Sequence, residues 1–158
     1  MSAILAIEQA SFPHDAYPES LFRLYAADPH TLFQVAETMD GLVGYIIVRM
    51  DRWGAEIVSL AVDPGSRNLG IGGALLGAAV RRMARQNARS IRLMVHANNT
   101  RAWEFYRKQG FRSVGRVSGY YDDGGTAIRM RLLLNTTPTR PSSRNQRPAR
   151  PIRLPRRN

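Results

Sequence analysis

The fold of this chain is decided by the stretch Ser59-Leu60-Ala61-Val62-Asp63-Pro64-Gly65-Ser66-Arg67-Asn68-Leu69-Gly70-Ile71-Gly72-Gly73. A strand-like run over residues 55–62 stops at Asp63, and an amphipathic helix begins at about Gly70. Glycines let a loop approach a ligand closely, and a helix N-terminus offers unpaired N–H groups. The pattern predicts an anion-binding turn in which the Arg67 guanidinium suits a phosphate, although glycines before a helix often mark only a tight turn.

A second motif lies further along the chain, in Asn99-x-x-Ala102-x-x-x-Tyr106-x-x-x-Gly110-Phe111. Its spacing places Asn99, Ala102 and Tyr106 on one face of a helix. The rest of the chain alternates between the two periodicities and predicts an α/β fold. The predicted helices cover residues 3–12, 19–27, 70–86 and 99–109, and the predicted strands cover residues 31–37, 41–50, 55–62, 90–96, 112–121 and 126–134.

Composition narrows the class of protein. The chain has 158 residues, which suits one domain, and 44% of them are hydrophobic. It has no cysteine, so disulfides, thiolate metal sites and cysteine nucleophiles are excluded. His14 and His30 lack acidic partners and metal-ligand spacing, and we predict no metal. The sequence has neither a membrane-length apolar run nor the basic start of a signal peptide, and we expect a cytoplasmic protein.

The charge is concentrated at the C-terminus. The net charge is +11, and residues 136–158 contain seven arginines, five of the nine prolines and no acid. Such a segment cannot bury enough apolar surface to offset the entropy of ordering. We therefore predict a folded domain over residues 1–135 and a disordered basic tail over residues 136–158. The tail is either an electrostatic arm for RNA, the ribosome or another polyanion, or a solvated extension without a partner.

Residues 55–134 resemble the acetyl-CoA-binding core of the GNAT acetyltransferases, whose signature Q/R-x-x-G-x-G/A is matched by Arg67-Asn68-Leu69-Gly70-Ile71-Gly72. The resemblance implies a mixed, mostly antiparallel twisted sheet with splayed central strands and flanking helices, and acetyl-CoA as co-substrate. It also implies that the backbone of Leu60, Ala61 and Val62 pairs with the pantetheine arm. The stretch from Arg67 to Gly73 would hold the pyrophosphate, and Asn99, Ala102 and Tyr106 would lie against pantetheine and the thioester sulfur.

Within this family the chain is similar to the N-terminal protein acetyltransferases, including the RimI-type ribosomal-protein alanine acetyltransferases. The segment from Phe12 through Tyr17 to Phe22 matches their first inter-helix loop, and Tyr120-Tyr121 matches the tyrosines that fix an incoming N-terminus. The resemblance implies an acceptor α-amine, such as that of a ribosomal protein. Three alternatives remain open: a polyamine or aminoglycoside acetyltransferase, a non-catalytic acetyl-CoA-binding protein, and an RNA-associated protein. Tyr120 and Tyr121 could also be ordinary strand-end aromatics.

The chain departs from the family pattern in two places. The family usually opens with a strand before its first helix, and here the first helix comes almost at once, so that strand is absent or lies upstream. RimI-type enzymes also place a carboxylate at the position of Met94, and a thioether cannot accept a proton.

Two residues could act as the base in place of Met94. Glu56 lies in the strand where many members of the family have a glutamate that acts through water, and His96 should share a strand face with Met94. Either could instead be structural. We predict direct transfer in a ternary complex, with Glu56 as base, Tyr106 as acid and His96 near the acceptor.

Overall fold

The computed structural model describes residues 1–134, and the predicted basic tail lies outside this range. None of the helices in the described part is long and apolar enough to cross a membrane. The elements in chain order are α1 Ser2–Ser11, α2 Glu19–Ala27, β1 Thr31–Thr38, β2 Gly41–Asp51, β3 Gly54–Val62, a short 3-10 helix Pro64–Ser66, α3 Ile71–Arg85, β4 Ser90–His96, α4 Thr100–Lys108, β5 Arg112–Val117 and β6 Ala127–Leu133. Within residues 1–134, no strand precedes α1.

The six strands form one sheet in the order β1-β2-β3-β4-β6-β5. The pairs β1–β2, β4–β6 and β5–β6 are antiparallel, whereas β3 and β4 are parallel. The register between β3 and β4 covers only Ala55 opposite Ile91 and Glu56 opposite Arg92. Parallel pairing is thus confined to the start of these two strands. This arrangement confirms the predicted mixed, mostly antiparallel sheet with splayed central strands.

The chain divides into two compact units. The first comprises residues 1–49 and 57–82, and the second begins with residues 50–56 and continues from residue 83. Aromatic side chains form much of the first unit's core. The ring of Phe22 meets the ring of Tyr45 edge-on, with centroids 5.5 Å apart, and lies 6.1 Å from the ring of Phe33. These contacts fix α2 against β1 and β2.

A buried carboxylate links several elements of the first unit. Glu8 on α1 is 1% exposed, and its Oε1 accepts a hydrogen bond of 2.8 Å from the backbone N–H of Tyr17. Its Oε2 accepts a hydrogen bond from the Tyr45 hydroxyl, which also lies 2.9 Å from Ser59 Oγ on β3. Buried polar groups persist when they are hydrogen-bonded, and these bonds join α1, the α1–α2 loop, β2 and β3. No pattern in the sequence predicts this network, because its members are far apart along the chain.

In the second unit, β4 alternates strictly between two faces. Ile91, Leu93 and Val95 are buried, whereas Arg92, Met94 and His96 are partly exposed. Successive side chains of a strand point to opposite faces, so the predicted placement of Met94 and His96 on one face is confirmed.

The strand predicted over residues 112–121 is four residues too long. It ends at Val117, because Gly119 has a φ of +61° and turns the chain out of the extended conformation. Tyr120 and Tyr121 therefore lie in a loop and not at a strand end. The backbone N–H groups of both tyrosines donate to the carbonyl oxygen of Gly125, at 2.9 and 3.3 Å.

Candidate functional site

The predicted anion-binding turn in the first unit is built by its backbone. Asp63 caps the short 3-10 helix by accepting a hydrogen bond of 2.9 Å from the Gly65 N–H. Asn68 and Gly70 both have positive φ values, +65° and +80°. The first backbone hydrogen bond of α3 runs from the Ala74 N–H to the Gly70 carbonyl oxygen, at 2.9 Å. The turn therefore delivers the chain directly into the first turn of a helix.

The start of α3 suits an anion. Because the helix begins at Ile71, the N–H groups of Ile71, Gly72 and Gly73 have no carbonyl four residues earlier within it. A Cβ added at Gly70 would meet no atom within 4 Å, so glycine is favoured there by its φ and not by lack of space. Leu69 is 73% exposed, so its side chain packs little against the rest of the turn. The residues present thus fit a pyrophosphate held by backbone donors.

The Arg67 side chain is engaged within the first unit. Its Nε donates to the Val62 carbonyl oxygen at 3.1 Å, and its Nη2 donates to Ser11 Oγ at 3.2 Å. The guanidinium therefore connects the end of β3 and the last residue of α1 to the start of the loop. This positioning role was not visible in the sequence, from which only a phosphate contact was predicted.

The second motif lies on α4, in the second unit. Asn99 precedes the helix and caps it, because its Oδ1 accepts a hydrogen bond of 3.0 Å from the Ala102 N–H. Tyr106 is buried, with its ring 5.1 Å from that of Phe105 and 5.4 Å from that of Phe111. Both edge-on contacts fix the direction in which the Tyr106 hydroxyl points.

Three of the residues predicted to bind the acceptor form one cluster in the second unit. The His96 ring lies 4.7 Å from the Tyr121 ring, and the Tyr121 ring lies 5.0 Å from the Tyr120 ring. Asp123, which was not among the predicted site residues, completes the cluster with its Oδ2 3.2 Å from His96 Nε2. The acid-rich turn after the two tyrosines was a signal that could have pointed to Asp123.

The hydrogen bonds of His96 define its tautomer. The Asn98 backbone N–H can only donate, and it lies 3.1 Å from His96 Nδ1, which must therefore accept. In the neutral ring, Nε2 then carries the proton and donates to Asp123. Asp123 Oδ1 also accepts a hydrogen bond of 2.7 Å from the Gly125 N–H. His96 is thus held by both nitrogens and positions the loop with the tyrosines.

Glu56, the predicted base, belongs to a charged cluster on the partly exposed face of the second unit. Its Oε2 lies 3.2 Å from Arg92 Nη2, and the two residues are cross-strand partners. The same nitrogen also pairs with Asp51 Oδ2, and Arg92 Nη1 donates to Asp51 Oδ1 at 3.4 Å. One arginine therefore serves two carboxylates.

Phe12 and Tyr17 lie at the α1–α2 loop of the first unit. Phe12 donates its backbone N–H to the Glu8 carbonyl oxygen at 2.8 Å and ends α1. The Tyr17 ring is buried and lies 6.4 Å from the ring of Phe22. The side chain of Glu8 therefore fixes the loop that carries Phe12 and Tyr17.

Residues 1–134 contain no group of three or more His, Asp or Glu side chains able to hold a metal ion.

Comparison with known proteins identifies relatives of this chain. The acetyltransferase (GNAT) family matches residues 1–111. An uncharacterised N-acetyltransferase of Methanocaldococcus jannaschii is 37% identical, covering 82% of this chain and 83% of the relative. An N-alpha-acetyltransferase of Sulfurisphaera tokodaii is 34% identical, covering 80% and 83%. The solved structure of Ard1 from Thermoplasma volcanium has a TM-score of 0.78 at 30% identity and covers 84% of this chain and 90% of that one.

The two glycines Gly70 and Gly77 give a matched pair of substitutions. Gly70→Ala should lower the free energy of unfolding by about 1 kcal/mol, because alanine is strained at a φ of +80°. Gly77→Ala should raise it by up to about 1 kcal/mol, because Gly77 lies inside α3 and an added Cβ meets Arg81 Nη1 at an ordinary 3.4 Å. Urea unfolding measures both. A Gly70→Ala variant as stable as the parent would show that the turn does not need glycine.

Proposed function

The chain belongs to the acetyltransferase (GNAT) family and is an N-acetyltransferase that uses acetyl-CoA, and we propose that its acceptor is the N-terminal α-amine of a protein. The observation that carries this proposal is the similarity to an N-alpha-acetyltransferase over four fifths of both chains. The cluster of Tyr120, Tyr121, His96 and Asp123 supports it, because it offers ordered aromatic and polar groups to a peptide backbone. A ribosomal protein is one such acceptor.

Acetyl-CoA supplies the activated acetyl thioester, and the chain's own residues bind and orient it. We assign the pyrophosphate to the N–H groups at the start of α3, from Leu69 to Gly73. The backbone of Leu60, Ala61 and Val62 pairs with the pantetheine arm, and Asn99 and Ala102 lie beside it. Arg67 acts by holding the loop in place through its bonds to Val62 and Ser11.

The free-energy cost of deprotonating the acceptor favours an α-amine over a lysine side chain. At pH 7, removing the proton from an α-amino group with a pKa of about 7.7–8.0 costs about 1–1.4 kcal/mol, against about 4.6 kcal/mol for a lysine amine. Met94 cannot accept a proton, and both nitrogens of His96 are engaged by Asn98 and Asp123. We assign the base to Glu56 acting through water, which suits an amine that is easily deprotonated.

Small amines such as polyamines or aminoglycosides are the second candidate. A polycationic acceptor is bound best by carboxylates whose oxygens do not already accept from donors of the protein. In the second unit Glu56 and Asp51 are paired with Arg92, and Asp123 is bound by His96 and Gly125. These three carboxylates are therefore already held by donors of the protein, which supports a peptide acceptor over a polycation.

A panel of acceptors tests the proposal. Peptides with a free α-amine should release CoA faster than the same peptides with a blocked N-terminus and an internal lysine, and faster than spermidine. The chain contains no cysteine, so a thiol reagent detects CoA alone. Faster turnover with spermidine, or with the blocked peptides, would show that the acceptor is another amine; no turnover with any acceptor despite acetyl-CoA binding would make the chain a binding protein.

Tyr106 is the proposed proton donor to the departing thiolate. Tyr106→Phe keeps the ring contacts with Phe105 and Phe111 and removes only the hydroxyl. We expect kcat to fall about 100-fold while the KM for acetyl-CoA stays within about twofold. Tyr25→Phe, at another buried tyrosine, is the control and should retain kcat. Unchanged kcat in Tyr106→Phe would remove this residue from the mechanism.

The charged cluster offers a matched test of Glu56. Glu56→Gln removes the proton acceptor but leaves an oxygen that can still accept from Arg92, whereas Asp51→Asn changes the other carboxylate of the same cluster. We expect Glu56→Gln to lower kcat at least tenfold and Asp51→Asn to change it less than twofold. Equal losses in the two variants would indicate a structural role for the whole cluster.

A further inference from the structure

The end of the sheet where β4 begins and β6 ends gathers basic and exposed apolar side chains in the second unit. A Cβ added at Gly54 would lie 2.9 Å from the Ser90 carbonyl oxygen, and Ser90 is the cross-strand partner of Leu133. The Leu134 N–H donates to the Arg89 carbonyl oxygen at 2.9 Å. We call this region the basic end and define it by Arg52, Trp53, Arg89, Arg112, Arg131 and Leu133.

The arginines at the basic end exceed the acids available to them. Arg92, Arg131 and Arg112 are successive cross-strand partners on β4, β6 and β5. Arg92 forms ion pairs with both nearby carboxylates, Asp51 and Glu56. Arg131 and Arg112 are exposed and form no ion pair among residues 1–134. Like charges directly opposite each other on neighbouring strands are destabilising, and a bound polyanion would relieve this repulsion.

Trp53 adds an aromatic surface to this charge. Its side chain is 70% exposed, and its backbone N–H donates to Asp51 Oδ1 at 2.7 Å, which holds the turn between β2 and β3. The Arg52 guanidinium carbon lies 4.7 Å from the ring centroid, and Leu133 at the same end is 68% exposed. Exposed aromatic rings beside arginines are the means by which proteins hold single-stranded nucleic acid, since bases stack on rings and phosphates bind guanidinium groups.

Positive charge is concentrated in the second unit, which contains the basic end. The described part of the first unit has five basic and seven acidic residues, whereas that of the second has eleven basic and five acidic residues. From Leu134 at the basic end the sequence continues into the segment with seven arginines and no acid. The two sources of positive charge are therefore joined covalently at this end of the sheet.

We propose that the basic end is a binding surface for single-stranded nucleic acid, with phosphates on Arg112 and Arg131 and a base stacked on Trp53. The surface is separate from the cluster of His96, Tyr120, Tyr121 and Asp123, which we propose binds the acceptor. Arg131 is the cross-strand partner of Arg92, and from Arg92 to His96 the chain advances four residues along β4, about 13 Å at about 3.3 Å per residue. A nucleic acid bound at Trp53, Arg131 and Arg112 leaves the cluster at His96 open to an acceptor, while Glu56 stays paired with Arg92, so the surface docks the enzyme on an RNA-containing partner.

Fluorescence anisotropy of a labelled 12-nucleotide single-stranded RNA, measured with the full chain between 50 and 200 mM KCl, tests the proposal. Arg112→Gln/Arg131→Gln should reduce the slope of log affinity against log salt by about 1.4, since each phosphate contact on a single strand contributes about 0.7. Trp53→Ala should weaken binding at least fivefold, and Trp53→Phe should recover part of the loss. Acetylation of a short peptide should stay within twofold in every variant.

Arg23→Gln/Arg81→Gln removes the same charge from exposed helical positions of the first unit and is the control. The arginine-rich segment is present in every variant, so its contribution cancels. An equal effect of the control pair, or unchanged binding in Trp53→Ala, would overturn the proposal. Displacement of the RNA by polyglutamate at equal charge concentration would also overturn it and indicate an acidic protein partner. The anisotropy results are independent of acetyl transfer, because the binding measurement involves no catalytic step.

Discussion

Glu8 is almost completely buried, with 1% of its surface exposed. Its two carboxylate oxygens accept hydrogen bonds from the Tyr17 backbone N–H and the Tyr45 hydroxyl. A buried carboxylate that lost one of these donors would leave a charged or polar group without compensation, at a cost of several kcal/mol. The α1–α2 loop, β2 and β3 are therefore constrained together. Through this one group, the loop that carries Phe12 and Tyr17 and the strand that leads to Leu60, Ala61 and Val62 are held in the first unit.

The backbone features of the fold could be predicted because their signals are local. The bounds of β4 follow from alternation within seven residues, and the turn at Gly70 follows from glycine spacing. The prediction that β5 extends through Tyr121 was wrong for an equally local reason. Gly119 has a positive φ, and the backbone N–H groups of Tyr120 and Tyr121 donate to the Gly125 carbonyl oxygen. A glycine inside an apparent strand can be read as a bulge or as a stop, and composition does not distinguish these outcomes.

The side-chain partners could not be predicted, because they are distant in sequence. Glu56 meets Arg92 across 36 residues, Arg67 meets Ser11 across 56, and Tyr45 meets Glu8 across 37. Each pairing changes what the residue can do: Arg67 becomes a brace for the loop, and Glu56 becomes one of two acids on one arginine. His96 was selected as a lone histidine, and only its bonds to Asn98 and Asp123 define its role in the cluster. The type of a residue therefore indicates which chemistry it can perform, whereas its hydrogen-bond and ion-pair partners determine the role it has in the folded chain.

The turn at the start of α3, our proposed pyrophosphate site, presents main-chain donors, whereas the proposed acceptor site presents side chains, and this difference has an evolutionary consequence. Leu69 points largely into solvent, and the donors that follow belong to the backbone, so side chains there can drift without altering what the turn recognises. The cluster of His96, Tyr121 and Asp123, where we propose that the acceptor binds, depends on the side chains themselves, and any replacement there changes its surface. If these assignments hold, homologous proteins with this architecture can keep acetyl-CoA as their acyl donor while their sequences diverge, and can change acceptor through few substitutions.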